Sequence, residues 1–142
     1  MRMLAVYHKT ESARYISHLD VQRTLQRAFR RAKLPLRFSE GFNPHPELSF
    51  ASALATGTTS DAEWFDVELT ECVQPETFLA QVNAVLPQGI RLSDARELPA
   101  GIKTLSTLTR AAEYEVQTTF ARTMTREKAE AWAGFLPAYG QL

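Results

Sequence analysis

Apolar and polar positions divide the chain into segments with two different periods. Leu4-Ala5-Val6-Tyr7 is a short β-prone run, and Arg14-Tyr15-Ile16 is placed to continue it or to pair with it across the polar Lys9–Ala13 turn. From His18 to about Lys33 the period becomes helical. At ~100° per residue Val21, Leu25, Ala28, Phe29 and Ala32 share one face, and Arg23, Arg27, Arg30 and Arg31 lie opposite. Ser17 offers an N-cap with Asp20 three residues on, and Leu34-Pro35 stops the helix. Leu36–Phe38 and Leu48–Ala53 read as extended, separated by the loop Ser39–Pro46, and Gly57 with the Thr/Ser cluster up to Ser60 marks a turn. Glu63–Thr70 alternates, with Phe65, Val67 and Leu69 on one side and Trp64, Asp66, Glu68 and Thr70 on the other, as a half-buried antiparallel strand does. Pro75 suits the first turn of a helix through about Leu86, whose apolar stripe is Phe78, Leu79, Val82, Val85 and Leu86. Pro87-Gln88-Gly89 ends it, and Ile90–Leu98 is another strand.

The order β-α-β-β-α-β predicts an α+β fold over residues 1–99: a ferredoxin-like sandwich with an antiparallel sheet and both helices on one face. Pro99-Ala100-Gly101 marks a boundary. In residues 100–142, Leu105–Arg110 bridges to a strand at Tyr114–Phe120 and a helix from about Thr125 to Phe135, with Thr125 as its cap. This is the start of a second, similar β-α unit. A lone strand and helix bury little surface, so the expectation is a truncated unit, or one completed by a partner chain or by a second copy in a homo-oligomer.

Composition narrows the function classes. With 142 residues, 44% hydrophobic and 23% charged, the chain can build a core, and disordered or low-complexity classes drop out. No apolar run approaches the ~20 residues of a bilayer span, so no membrane partner is expected. A single cysteine, Cys72, excludes an internal disulfide, a zinc ribbon and an iron–sulfur site built by this chain alone. Cys72 follows an acidic strand, which makes it a poor nucleophile. The expectation is a reduced, cytoplasmic protein without a cofactor.

The formal charge of zero is a cancellation. Residues 1–50 hold nine Arg/Lys against four Asp/Glu, and residues 51–142 hold seven against twelve. A uniformly basic coat for nucleic acid is excluded, so an anionic ligand must bind locally. The alternative is two faces that pair within the molecule or with another copy.

Candidate chemistry concentrates in two places. The loop Ser39-Glu40-Gly41-Phe42-Asn43-Pro44-His45-Pro46 is stiff: Gly41 can take φ > 0, and Pro44 and Pro46 fix two torsions and bias Asn43 and His45 to extended conformations. Either it is a rigid connection with Phe42 in the core, or it presents Phe42, Asn43 and His45 to single-stranded RNA by stacking and base-edge hydrogen bonds. The second place is the helix. Ser17 and His18 open it, and Arg23, Arg27, Arg30 and Arg31 form either a solvated face, partly paired with acids such as Glu40 or those of Asp61–Glu76, or an anion-binding one. His18 and His45 could meet as an acid–base pair, or remain hydrogen-bonded structural histidines. Asp20 projects about 200° round the helix from His18 at ~100° per residue, so His18, Asp20 and His45 are poorly placed as metal ligands. Nucleophile-elbow, P-loop and dinucleotide fingerprints are absent.

Arg14-Tyr15-Ile16-Ser17-His18-Leu19-Asp20, Ala28-Phe29-Arg30-Arg31-Ala32, Leu34-Pro35-Leu36, Ser39–Pro46 and Leu48-Ser49-Phe50-Ala51 together resemble the radical-SAM-associated family DUF2344. The likeness continues through Leu54, Gly57, Ser60, Glu63, Leu86-Pro87-Gln88-Gly89 and Ala112–Tyr114. Ser12 or Ala13 stands where the family has a glycine. The resemblance implies a radical-SAM protein as partner. The reaction cannot reside here, since the cluster of such enzymes needs three cysteines. The chain would then supply recognition of RNA or another phosphorylated ligand, with Arg23, Arg27, Arg30 and Arg31 for anionic contacts and Ser17, His18, Gly41, Phe42, Asn43 and His45 beside them. The alternatives are a protein–protein adaptor docking on the radical-SAM partner, and an RNA-processing enzyme using His18 or His45. A more distant, fold-level likeness is to the ferredoxin-like RNA-binding domains of CRISPR-associated endonucleases.

Overall fold

The computed structural model describes residues 1–102, 104–115, 117 and 123–133. Strand β1 (Arg2–Lys9) leads through a 3-10 turn (Glu11–Ala13) to helix α1 (His18–Arg31). Then come β2 (Leu48–Phe50), β3 (Ser60–Glu68), helix α2 (Pro75–Asn83) and β4 (Ile90–Glu97). The four strands form one sheet in the order β2-β3-β1-β4, and each neighbouring pair is antiparallel. The architecture is α+β.

The alternation in β1 and β3 decides which face carries the core. Met3, Ala5 and Tyr7 pair in register with Val67, Phe65 and Glu63, so their side chains share one side. Val21, Leu25, Ala28 and Phe29 of α1 and Phe78 and Val82 of α2 are buried in the same cluster. The Phe29 ring centroid is 5.9 Å from those of both Phe65 and Phe78, which joins α1, β3 and α2. The second face is also covered. Leu4 packs with Leu98 and Leu105, and Ala51, Trp64 and Ile102 add to that smaller cluster, so the segment after β4 folds back across the sheet. Arg2 ties it down: its guanidinium lies 3.0 Å from Asp66 and donates to the Ile102 carbonyl.

Several expected elements differ. Arg14-Tyr15-Ile16 is not a strand. Ala13 N–H donates to the Thr10 carbonyl at 2.9 Å and Arg14 N–H to the Glu11 carbonyl at 3.2 Å, so the chain coils, and Gly57 N–H donates to the Arg14 carbonyl at 2.9 Å. Strand β2 ends at Phe50 rather than Ala53, and α2 ends at Asn83, short of Leu86. Asp66, at an outward position of β3, is buried because the segment after β4 roofs it.

Helix α1 ends without the usual glycine. Leu34 N–H bonds the Phe29 carbonyl and Lys33 N–H bonds the Arg30 carbonyl, both at 3.1 Å, which is the Schellman pattern. Lys33 sits at φ 55, a left-handed conformation that costs a side-chain-bearing residue free energy. Replacing Lys33→Gly is therefore expected to stabilise the protein by about 0.5–1 kcal/mol in urea unfolding. A loss of stability would contradict this reading of the helix end.

The chain forms two compact units, Met1–Leu108 and Thr109–Leu142. In the second, helix α3 (Arg126–Ala133) starts at the expected cap, with Lys128 N–H 3.4 Å from Thr125 Oγ1. Tyr114, Glu115 and Gln117 lie outside any strand. The rest of the strand expected over Tyr114–Phe120, and residues 134–135 at the expected helix end, fall outside the described residues.

Candidate functional site

The N-terminus of α1 is built by Ser17, whose Oγ accepts from Asp20 N–H at 3.2 Å and donates to Asp20 Oδ2 at 2.7 Å. That hydroxyl bond holds the Asp20 carboxyl below the ordinary aspartate range. The cap expected from Ser17 and Asp20 is present. His18 follows it. Its ring stands edge-on to Phe50 at 4.7 Å between centroids. His45 is exposed, with Nδ1 3.3 Å from the Pro46 carbonyl. His18 Nδ1 is buried without a hydrogen-bond partner, so the hydrogen-bonded structural role expected of both rings holds for His45 alone, and no hydrogen bond joins the two imidazoles. Among the described residues no group of His, Cys, Asp and Glu side chains could hold a metal ion.

The arginine face is largely free of carboxylates. Arg23 lies 3.4 Å from Asp20, while among the described residues Arg27, Arg30 and Arg31 make no ion pair. Of the acids expected to neutralise them, Glu68 holds Arg37 at 3.1 Å and Asp66 holds Arg2 at 3.0 Å, and Glu40 makes no ion pair among the described residues. The bland account of a basic last turn is the helix dipole, which Arg30 and Arg31 complement. That account leaves Arg27 unexplained, one turn earlier. The four side chains also diverge. Arg27 and Arg31 line a groove with Thr24, Ala28, Val85 and Pro87. Arg30 turns the other way, its guanidinium 5.7 Å over the Phe38 ring.

Phe38 belongs to the base of the expected stiff loop. Phe38 and Pro46 bridge antiparallel, Ser39 N–H bonds the His45 carbonyl at 2.9 Å, and Glu47 N–H bonds the Arg37 carbonyl at 3.0 Å. The loop is therefore the tip of a hairpin arm. The arm is anchored on β3, where Arg37 N–H donates to the Glu68 carbonyl at 2.9 Å and Glu68 N–H to the Glu47 carbonyl at 3.0 Å. Gly41 has φ +132 and nothing near its missing side chain, so torsion alone selects glycine there. Phe42 is 106% exposed, at the tip and not in the core, and Asn43 and His45 are exposed beside it. The Arg30–Phe38 contact sets this arm next to the C-terminal half of α1.

Two groups of residues escaped the sequence reading. Thr24, Val85 and Pro87, which complete the groove, give no signal without the packing of α1 against the chain after α2. The other group lies below the start of α1. Lys9 is 1% exposed and donates to the carbonyls of Ile16 and Ala55 at 3.0 and 3.4 Å, tying the approach to α1 to the loop after β2. Burial lowers its pKa, and Glu63 opposes the shift. Tyr7 beside it is wholly buried, and burial together with Glu63 pushes its hydroxyl pKa up, so it stays a neutral phenol. The signal for Lys9 is the inward register Met3, Ala5, Tyr7, and it holds only once β1 is known to run that far.

Among the described residues no helix is long and apolar enough to cross a membrane. One family model, described as an uncharacterized protein conserved in bacteria (DUF2344), matches residues 2–138. No curated protein matches the chain.

Proposed function

The chain belongs to the DUF2344 family, and we propose that it acts there as a cytoplasmic recognition module for RNA, serving a radical-SAM partner protein that carries out the reaction. The observation that carries this reading is the set of three arginines, Arg27, Arg30 and Arg31, exposed and unpaired among the described residues beside an arm that ends in a fully exposed Phe42. Guanidiniums suit phosphate oxygens, and an exposed ring suits the face of an unstacked base. Phe42, Asn43 and His45 would supply selectivity, and Arg23 a weaker anionic contact. Ser17 and His18 hold the helix start. In this reading His18 is a packing residue and the module needs no catalytic group. The element order and the β2-β3-β1-β4 arrangement support a ferredoxin-like unit.

Replacing Arg27, Arg30 and Arg31 together with alanine is expected to weaken binding of a single-stranded oligoribonucleotide. The slope of log K against log salt should become shallower by about two, since each lost single-strand phosphate contact is worth about 0.7. Phe42→Ala should weaken binding with the slope unchanged. An undiminished slope in the triple variant, or no binding by the wild type at low salt, would refute the proposal. Co-purification with a radical-SAM protein that survives nuclease, without RNA affinity, would favour the adaptor instead.

A further inference from the structure

The groove beside α1 has a chemistry narrower than a basic face. Thr24, Arg27, Ala28 and Arg31 form one wall and Val85 and Pro87 the other, around about 200 Å³. Thr24, Arg27 and Arg31 are spaced three and four residues apart, so a hydroxyl and two guanidiniums follow one another along a single helical row. Neither Arg27 nor Arg31 has a carboxylate partner among the described residues. Two free forks and a hydroxyl match a group with three terminal oxygens and a charge of about −2 at pH 7, which is a phosphate monoester. An internal phosphodiester offers two such oxygens and a single charge. The opposite wall is apolar, fit to lie against a ribose or a base edge. A groove of about 200 Å³ takes a phosphate and its sugar.

We propose that this groove binds the terminal phosphate of an RNA strand. The inference rests on the reading of α1 as an RNA-binding face and names the end of the strand as what that face recognises.

The test is one oligoribonucleotide prepared with a 5′-phosphate, with a 3′-phosphate and with hydroxyls at both ends, titrated against the full chain. One phosphorylated form is expected to bind about tenfold tighter than the hydroxyl form, and which one identifies the end. That advantage should shrink below about pH 6, as the monoester takes up its second proton. Arg27→Lys with Arg31→Lys keeps both charges but removes the planar forks, and should lose most of the advantage. Equal binding of all three oligonucleotides would overturn the end-recognition proposal while leaving RNA binding in place. If no oligonucleotide binds, the broader reading and the end-recognition proposal fall together.

Discussion

Replacing Arg2→Met is expected to destabilise the protein by about 3 kcal/mol at neutral pH, measured by urea unfolding. Asp66 is 3% exposed, and its charge is compensated by the Arg2 guanidinium at 3.0 Å. Burial raises the Asp66 pKa above the ordinary aspartate value, with the Arg2 hydrogen bond and charge working against that rise. A folded-state pKa above the unfolded one means that the ionised form costs stability. At this group the protein is therefore most stable below the unfolded value and loses stability as pH rises through the folded value. Without Arg2 nothing described opposes the desolvation, and the pKa climbs further. The penalty of the variant should accordingly be larger at pH 7.5 than at pH 5, because it is the ionised form of Asp66 that burial penalises. A loss below about 1 kcal/mol, or one equal at both pH values, would show that the pair is not the compensated buried charge described here.

Gly89→Ala should cost about 3 kcal/mol by the same measurement, from strain and overpacking together. Gly89 has φ +95, and an added Cβ would fall 2.5 Å from Ser12 Oγ, 2.8 Å from Ala13 Cβ and 2.9 Å from Ala13 N. The serine hydroxyl can rotate away. The Ala13 backbone cannot, because Ala13 N–H is committed to the Thr10 carbonyl and Thr10 N–H to the Gly89 carbonyl, both at 2.9 Å. Ser12→Gly should therefore fail to rescue the variant. A Gly89→Ala protein within 1 kcal/mol of the parent would mean that the turn before α1 yields.

The elements that were legible in the sequence are those whose pattern repeats. Helix α1 buries Val21, Leu25, Ala28 and Phe29, all members of the expected stripe, and starts at the expected Ser17 cap. Phe65, Val67 and Leu69 are buried as their alternation requires, and α2 opens on Pro75. What failed was non-local. Lys9 looks like the first residue of a polar turn until β1 is known to run to it, inward side down. The outward Asp66 reads as solvated, and only the fold-back after β4 buries it. Lys33 carries no left-handed signal, since the stop is made by main-chain bonds and by Leu34 reaching the core. At the candidate site, the exposed Arg27, Arg30 and Arg31 and the positive φ of Gly41 were readable. That Phe42 points into water rather than the core was not, because an aromatic beside a glycine suits both.

The fold-back after β4 has a further consequence. In a four-stranded sheet with both helices on one side, the uncovered side is the broad flat platform on which a guest can be spread across several strands. Here Leu98, Ile102 and Leu105 already occupy the middle of that platform, fastened by Arg2 through the Ile102 carbonyl. A long guest laid flat over the strands would first have to evict a tenant from the same chain. For the RNA strand proposed above, the flank of α1 and the end of the arm would then be the places of contact, each reaching only a few units of a polymer at once.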